Sequence, residues 1–153
     1  MMKSIVAAIG LFIIAAAPAF TQNTPPPVKI PFSGIAMNVS LGLYDTIEMW
    51  VTTPKAEIVK TEGTFGGKSL VGTFRAIGRA IDGCAERMKC LQFQGTLSDL
   101  EAGGFQPGIY TTWSMTMAID ADGDATATFT VGPLPGFDFS QSGILQLKSS
   151  TAR

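Results

Sequence analysis

The chain has 153 residues, of which 15% are charged, and it contains no histidine. Eleven basic and twelve acidic side chains give a formal net charge of −1, whereas nucleic-acid-binding proteins carry a clear basic excess. Catalytic triads, cysteine–histidine pairs and histidine-based metal sites are excluded in their usual forms, because each of them needs an imidazole. The composition therefore favours a protein that is not an enzyme, uses no cofactor and does not bind nucleic acid.

The first 19 residues have the layout of an export signal. Lys3 supplies the positive start, an apolar run extends from Ile5 to Ala17, and Ala17-Pro18-Ala19 offers the small residues of a cleavage site. The run is short for a membrane span, which takes about 20 apolar residues. We predict a signal peptide over 1–19 and a periplasmic or secreted bacterial protein with no membrane span after cleavage. Retention of the segment as an anchor is the alternative.

Residues 20–27 form the next segment, and they end in three consecutive prolines. Such a run favours an extended, stiff spacer rather than part of a core. Removal of a signal would leave 134 of the 153 residues, which is a size typical of one domain. We therefore predict a Pro-rich tail over 20–27 and a single β-domain over 28–153.

Apolar and polar residues alternate with period two from residue 109 onward, which is typical of strands. Ser114–Asp120 and Asp124–Val131 are predicted to form a hairpin with Asp122-Gly123 at its tip, since an Asp-Gly step tolerates the positive φ angles of a tight turn. A second hairpin is predicted from Leu70–Ile81 and Leu91–Leu97.

Weaker patterns add further strands and define the fold class. These strands are predicted at Ile35–Leu41, Thr46–Thr53, Ala56–Thr61 and Gly143–Lys148. Ser98–Ala102 is compatible with one helical turn capped by Ser98. About eight short strands at hairpin spacing predict an all-β domain, either an antiparallel sandwich or an up-and-down barrel. The alternation does not decide between the two, because closure depends on the weak N-terminal strands.

Two cysteines, Cys84 and Cys90, lie between the strands of the second hairpin. An even number of cysteines in an exported chain predicts a disulfide. A redox pair would prefer the shorter Cys-x-x-Cys spacing, and a zinc site would lack partners. We expect the bond to stabilise the fold by about 2–3 kcal/mol, because it closes a short loop in the unfolded chain.

Three carboxylates, Asp120, Asp122 and Asp124, crowd the predicted hairpin tip. Oxygen-rich turns of this kind open calcium loops, but the glycine stands one place early and the twelfth position is Val131. We interpret the turn as a solvated hairpin tip and predict no metal site, with Ca²⁺ binding by the three aspartates as a weak alternative.

Aromatic side chains are the candidate ligand contacts, because a flat ring can stack on a sugar or an apolar ligand. Trp113 shares its face with Met115 and Met117 and is expected in the core, and Trp50 is expected to be buried as well. Tyr110 lies on the polar face and is the better exposed candidate. Asn38 begins a glycosylation sequon that we interpret as accidental.

Charge is distributed unevenly along the chain. Lys55 to Lys89 contains seven bases and four acids, whereas Cys90 to Leu147 contains six acids and no base. One interpretation is a pair of solvent faces that complement each other within the fold. The other is a basic patch for an acidic glycan or an acidic protein.

These observations favour a small exported β-domain that acts as a non-catalytic binding or envelope-associated protein. Its partner, which could be a ligand, a glycan or a protein, and its oligomeric state are not resolved by the sequence. The alternative is a closed barrel that holds an apolar ligand among interior side chains, namely Phe93, Trp113, Met115, Met117 and Phe129. A carboxylate-based hydrolase comes third, since it would require two acids facing each other across a cleft.

Overall fold

A computed structural model of the protein describes residues 27–53, 58–99, 110–133 and 138–150. The predicted signal peptide and residues 20–26 lie outside these ranges. The described residues contain eight strands and no helix that is long and apolar enough to span a bilayer. The strands are β1 (Val28–Asn38), β2 (Leu43–Thr53), β3 (Ile58–Gly67), β4 (Gly72–Ile81), β5 (Lys89–Asp99), β6 (Thr111–Ile119), β7 (Ala125–Val131) and β8 (Gln141–Ser149).

The eight strands form a closed, antiparallel barrel in which each strand pairs with its neighbours in sequence. The circle is completed by β1 and β8, whose register runs from Phe32 opposite Ser149 to Asn38 opposite Gly143. The all-β prediction is confirmed, and of the two architectures left open the barrel is the one formed. We call the end with the turns at 39–42 and 68–71 the upper end, and the opposite end the lower end.

Alternation along each strand separates the interior from solvent. In β7, for example, Ala125, Ala127, Phe129 and Val131 are buried and the three threonines between them are exposed. Both predicted hairpins are confirmed, as β4–β5 and β6–β7. The four weaker strands are also present, and all are longer than predicted. The first ends at Asn38 rather than Leu41, because residues 39–42 form a turn, and the predicted start of the third, at 56–57, lies outside the described residues.

The predicted helical turn at Ser98–Ala102 is wrong where the structure describes it. Ser98 and Asp99 continue β5 and pair with Thr73 and Gly72 of β4. Pairing with a neighbouring strand therefore overrides the local capping preference of Ser98. Residues 100–102 lie outside the described ranges.

Inward-facing glycines allow neighbouring strands to approach closely inside this narrow barrel. A Cβ atom added at Gly34 would overlap the backbone carbonyl oxygen of Gln146, and one added at Gly95 would overlap that of Arg75. Strands that coil sharply into a barrel need such positions without side chains. Closure therefore depends on these glycines as well as on the apolar core.

The Cys84–Cys90 disulfide lies at the lower end, within the connection between β4 and β5. Its Cα atoms are 5.8 Å apart, which is within the usual range for a disulfide. Cys90 belongs to β5 and pairs with Ile81, so the bond ties the loop back to the first rungs of the hairpin. The predicted disulfide is confirmed, and it is compatible with an oxidising compartment outside the cytoplasm.

The glycine argument predicts different outcomes for two alanine substitutions. Gly34→Ala is expected to lower the free energy of unfolding by about 2–3 kcal/mol or to prevent folding, because its methyl group meets backbone that cannot move aside. Gly66→Ala is the matched control, because its added Cβ meets only the Thr46 hydroxyl, at 3.2 Å. Urea unfolding of the two variants provides the comparison, and equal stability would contradict this account of closure.

Removal of the disulfide should destabilise the barrel without changing its architecture. The double variant Cys84→Ser/Cys90→Ser is expected to lose about 2 kcal/mol, because a seven-residue loop then gains freedom in the unfolded state. Thermal unfolding followed by circular dichroism measures the loss. Reduction of the wild-type protein with dithiothreitol should lower Tm by a similar amount, and an unchanged Tm in both experiments would refute the stabilising role.

Candidate functional site

Four aromatic rings are in mutual contact in the upper half of the barrel interior. Trp113 stacks against Phe74 and Phe129, with centroid distances of 4.8 and 5.2 Å. Phe65 completes the group, 5.3 Å from both Phe74 and Trp113. We call these four residues the aromatic cluster; they come from β3, β4, β6 and β7 and form an apolar floor beneath the upper end.

A chain of hydrogen-bonded polar side chains, three of them buried and one half-buried, lies at the upper end of the barrel, close to where β1, β2 and β8 end or begin. Asn38 donates from Nδ2 to Gln141 Oε1 at 2.6 Å and to Ser69 Oγ at 3.2 Å. Asp45 accepts hydrogen bonds from the backbone N–H of Ser69, at 3.0 Å, and from the Ser69 hydroxyl. We call Asn38, Asp45, Ser69 and Gln141 the upper polar cluster.

Two buried hydrogen-bond donors at this end have no partner among the residues that the structure describes. Gln141 is fully buried and its Nε2 makes no hydrogen bond, and Trp113 is 1% exposed with an unpaired Nε1. Both residues pair with Val131, one from each side, so their Cα atoms lie about 10 Å apart in one interior row. A buried donor without a partner costs about 1–3 kcal/mol, so two of them in one row mark a place suited to an acceptor group.

The backbone pattern explains why polar residues lie inside. Asp45 has the same parity as Ile47, Met49 and Val51 along β2, so it faces inward at the upper end of that strand. Its carboxylate has room because the residue opposite is Gly67, where an added Cβ would overlap it. Asn38 and Gln141 occupy equivalent terminal positions on β1 and β8.

Sequence reasoning missed the upper polar cluster as a site. A signal was present in the sequence: at the upper ends of three strands, the last inward-facing position is polar rather than apolar. These residues are Asn38, Asp45 and Gln141. The interpretation of the glycosylation sequon as accidental agrees with the position of Asn38, which is fully buried and whose amide nitrogen is used inside the barrel.

The predicted ligand contacts fall in three different places. Tyr110 is 64% exposed, directly before β6 at the upper end. The expectation that Trp50 is buried is wrong: its parity is opposite to that of Met49 and Val51, so it faces outward from β2 and is half-buried, with Lys29 Nζ 4.7 Å from the ring centroid. Trp113 lies in the core, as expected. The structure therefore does not bring the three aromatic residues together into one site.

All five residues predicted to line an apolar cavity face the interior and are at most 2% exposed. They are Phe93, Trp113, Met115, Met117 and Phe129. An eight-stranded barrel is just wide enough for its own side chains to fill, and Trp113 and Phe129 contact each other directly. Any ligand at this site would therefore sit above the aromatic cluster, near the unpaired donors.

The acidic turn at the lower end uses its carboxylates to hold the backbone. Asp120 Oδ1 accepts hydrogen bonds from the N–H groups of Asp122 and Asp124, at 2.9 and 3.0 Å. Asp124 lies 3.9 Å from Lys148 Nζ. Gly123 alone adopts a positive φ, of 87°, so the tip is a type I turn followed by a bulge rather than the two-residue turn with two positive φ angles. Within the described ranges no three acidic or cysteine side chains are grouped to hold a metal ion.

The turn geometry predicts that Asp120 and Asp122 contribute unequally to the free energy of unfolding. Asp120→Ala is expected to cost about 1–2 kcal/mol, because two backbone N–H groups lose their acceptor, whereas Asp122→Ala should change stability by less than about 0.5 kcal/mol. Thermal unfolding of both variants tests this difference.

We also expect about 1 mM Ca²⁺ to leave the Tm of the wild-type protein unchanged. A site with a Kd near 10 μM would add about 2.7 kcal/mol, and a rise of several degrees that Asp122→Ala abolished would establish calcium binding.

Comparison with protein-family models, with curated proteins and with solved structures finds no match for this chain. The class that the geometry defines is a closed, eight-stranded, up-and-down antiparallel β-barrel. In the described part of the barrel, the candidate ligand site is the upper polar cluster together with the aromatic cluster beneath it.

Proposed function

We propose that the protein is an exported, non-catalytic binding protein that takes a small ligand at the upper end of its barrel. The observation that carries the proposal is a pair of buried donors, Trp113 Nε1 and Gln141 Nε2, that find no partner within the described ranges. Ligand sites in β-barrels commonly lie at one end, where an apolar lining meets a few convergent polar groups. The upper polar cluster and the aromatic cluster provide that combination.

The chemistry of the donors indicates the class of ligand. Amide and indole N–H groups bind acceptors such as carbonyl, ether or carboxylate oxygens. The rings of Phe65, Phe74 and Phe129 favour an apolar or aromatic body beneath that acceptor. The buried carboxylate of Asp45, at the same end, favours a neutral acceptor over an anionic one. We therefore expect a small, largely apolar molecule with a carbonyl group.

Two features support a binding role in an exported protein. Asp45 is the one acidic residue that the described part of the chain buries, and its oxygens already accept two hydrogen bonds from Ser69. It is therefore tied into a structural network, whereas a general base needs a free position facing the substrate. The Cys84–Cys90 disulfide fits a periplasmic or extracellular location.

Tryptophan fluorescence offers a direct test, because the chain has only two tryptophans. In the variant Trp50→Phe, Trp113 is the sole reporter. We expect acetophenone or benzamide to shift its emission and to raise Tm. Ethylbenzene has a similar body without an acceptor, and it should bind at least about tenfold more weakly, as expected from the loss of one buried hydrogen bond.

A variant of the second donor separates recognition from simple partition into the barrel. Gln141→Met removes Nε2 and keeps most of the side-chain volume, so binding of the carbonyl probes should fall toward the level of ethylbenzene, with Trp113 Nε1 as the remaining donor. The variant also removes the acceptor of Asn38, so its fold is checked by circular dichroism. Equal binding of all three probes, or no response to any of them, would contradict a ligand site at the upper end.

A further inference from the structure

Basic side chains gather on the outer wall formed by β3, β4 and β5. Lys60 projects outward from β3, and Arg75 and Arg79 project outward from β4. Lys60 pairs with Ile77, which stands midway between the two arginines, so the three cations follow one another at steps of about 7 Å along the strands. The outward residues of β6 and β7, by contrast, are all uncharged.

A continuous surface groove runs between these side chains. One part, with a volume of about 490 Å³, is lined by Lys60, Glu62, Arg75 and Gln94 among others. The next part, of about 330 Å³, shares Ile77 and Gln94 with the first and extends to Arg79. We call this feature the outer basic groove.

The three cations of the groove lack acidic partners in the described part of the chain. Glu62 stands opposite Arg75, but its ion pair, of 3.6 Å, is with Lys29. The other ion pair among the described residues joins Lys148 to Asp124. The aspartates at 120–124 lie in the lower-end turn rather than on this wall. Three cations of the basic stretch therefore face this groove against one carboxylate, that of Glu62, which is already paired with Lys29.

We propose that the outer basic groove binds an acidic polysaccharide, with Arg75 and Arg79 pairing with the carboxylates of uronic acid units. A guanidinium group matches a carboxylate with two parallel hydrogen bonds. The amide of Gln94 offers both a donor and an acceptor for sugar hydroxyls. The exposed side chain of Ile77, between the arginines, provides contact for the apolar face of a sugar ring.

The closed barrel favours a polysaccharide over an acidic peptide. Extended peptides are commonly bound by adding a strand to a free sheet edge, where backbone hydrogen bonds give affinity. Every described strand is already paired on both sides, so the wall offers only side chains. An acidic polysaccharide presents hydroxyl and carboxylate groups, which side chains can bind without any backbone hydrogen bond from the sheet. This groove offers only side chains.

Isothermal titration calorimetry with hexagalacturonate and hexamannuronate tests the proposal. We expect at least one of them to bind the wild-type protein, with an affinity that falls as salt is raised from about 50 to about 500 mM. Arg75→Ala and Arg79→Ala should each weaken binding about tenfold or more. Lys148→Ala is the matched control, because it removes the same charge from an 85% exposed side chain on β8, outside the groove, and it should leave the affinity unchanged.

Two further probes determine the class of partner. The methyl ester of the bound hexamer, in which the carboxylates are blocked, should not bind. Polyglutamate should bind at least tenfold more weakly than the hexamer. Failure of both hexamers to bind, equal binding of the methyl ester, or tighter binding of polyglutamate would overturn the proposal. None of these outcomes depends on the upper end, so the two proposals stand or fall separately.

Discussion

The pairing of β1 with β8 is the interaction on which the rest of the barrel depends. It joins segments about 110 residues apart, with Gly34 opposite Leu147 near its middle. Without this pairing both strands would present unpaired N–H and C=O groups along a free edge, and the inward row would be open to water. With this pairing, the closed sheet surrounds the aromatic cluster, and Asn38 comes within hydrogen-bond distance of Gln141. The upper polar cluster is therefore a direct product of closure.

Much of the fold could be predicted from local pattern, and the reasons are specific. Alternating residues from Trp113 to Val131, with Gly123 between the strands, identify the β6–β7 hairpin because its partners are close in sequence. In β1 the segment from Val28 to Pro31 mixes charge, proline and apolar residues, so its alternation is weak. That strand is specified by its pairing with β2 and β8, which no local window contains.

The candidate site was harder to predict than the fold, because its residues break the rule that identifies a core. Asp45 and Gln141 are polar residues at inward positions. In the sequence, a polar residue at such a position indicates that the strand has ended. Their burial depends on neighbours from other strands: Gly67 leaves room for one, and Asn38 provides a partner for the other. These residues come together only when the barrel closes, so a local stretch of sequence does not show that they are neighbours. The basic stretch was visible in the sequence, but only the pairing of the strands shows that Lys60, Arg75 and Arg79 share one wall.

The barrel also places its first and last strand ends together. β1 enters at the lower end and β8 leaves there, and the N–H of Ser150 donates to the carbonyl oxygen of Pro31 at 3.1 Å. The fold is thus a ring of eight strands whose starting point in the chain is arbitrary. A circularly permuted chain, joined between residues 28 and 150 and opened at the 39–42 turn, would contain the same strand pairs in the same order. Both ends of the described barrel therefore lie at the same end of the molecule as the disulfide loop, although across the ring from it, and away from the upper polar cluster.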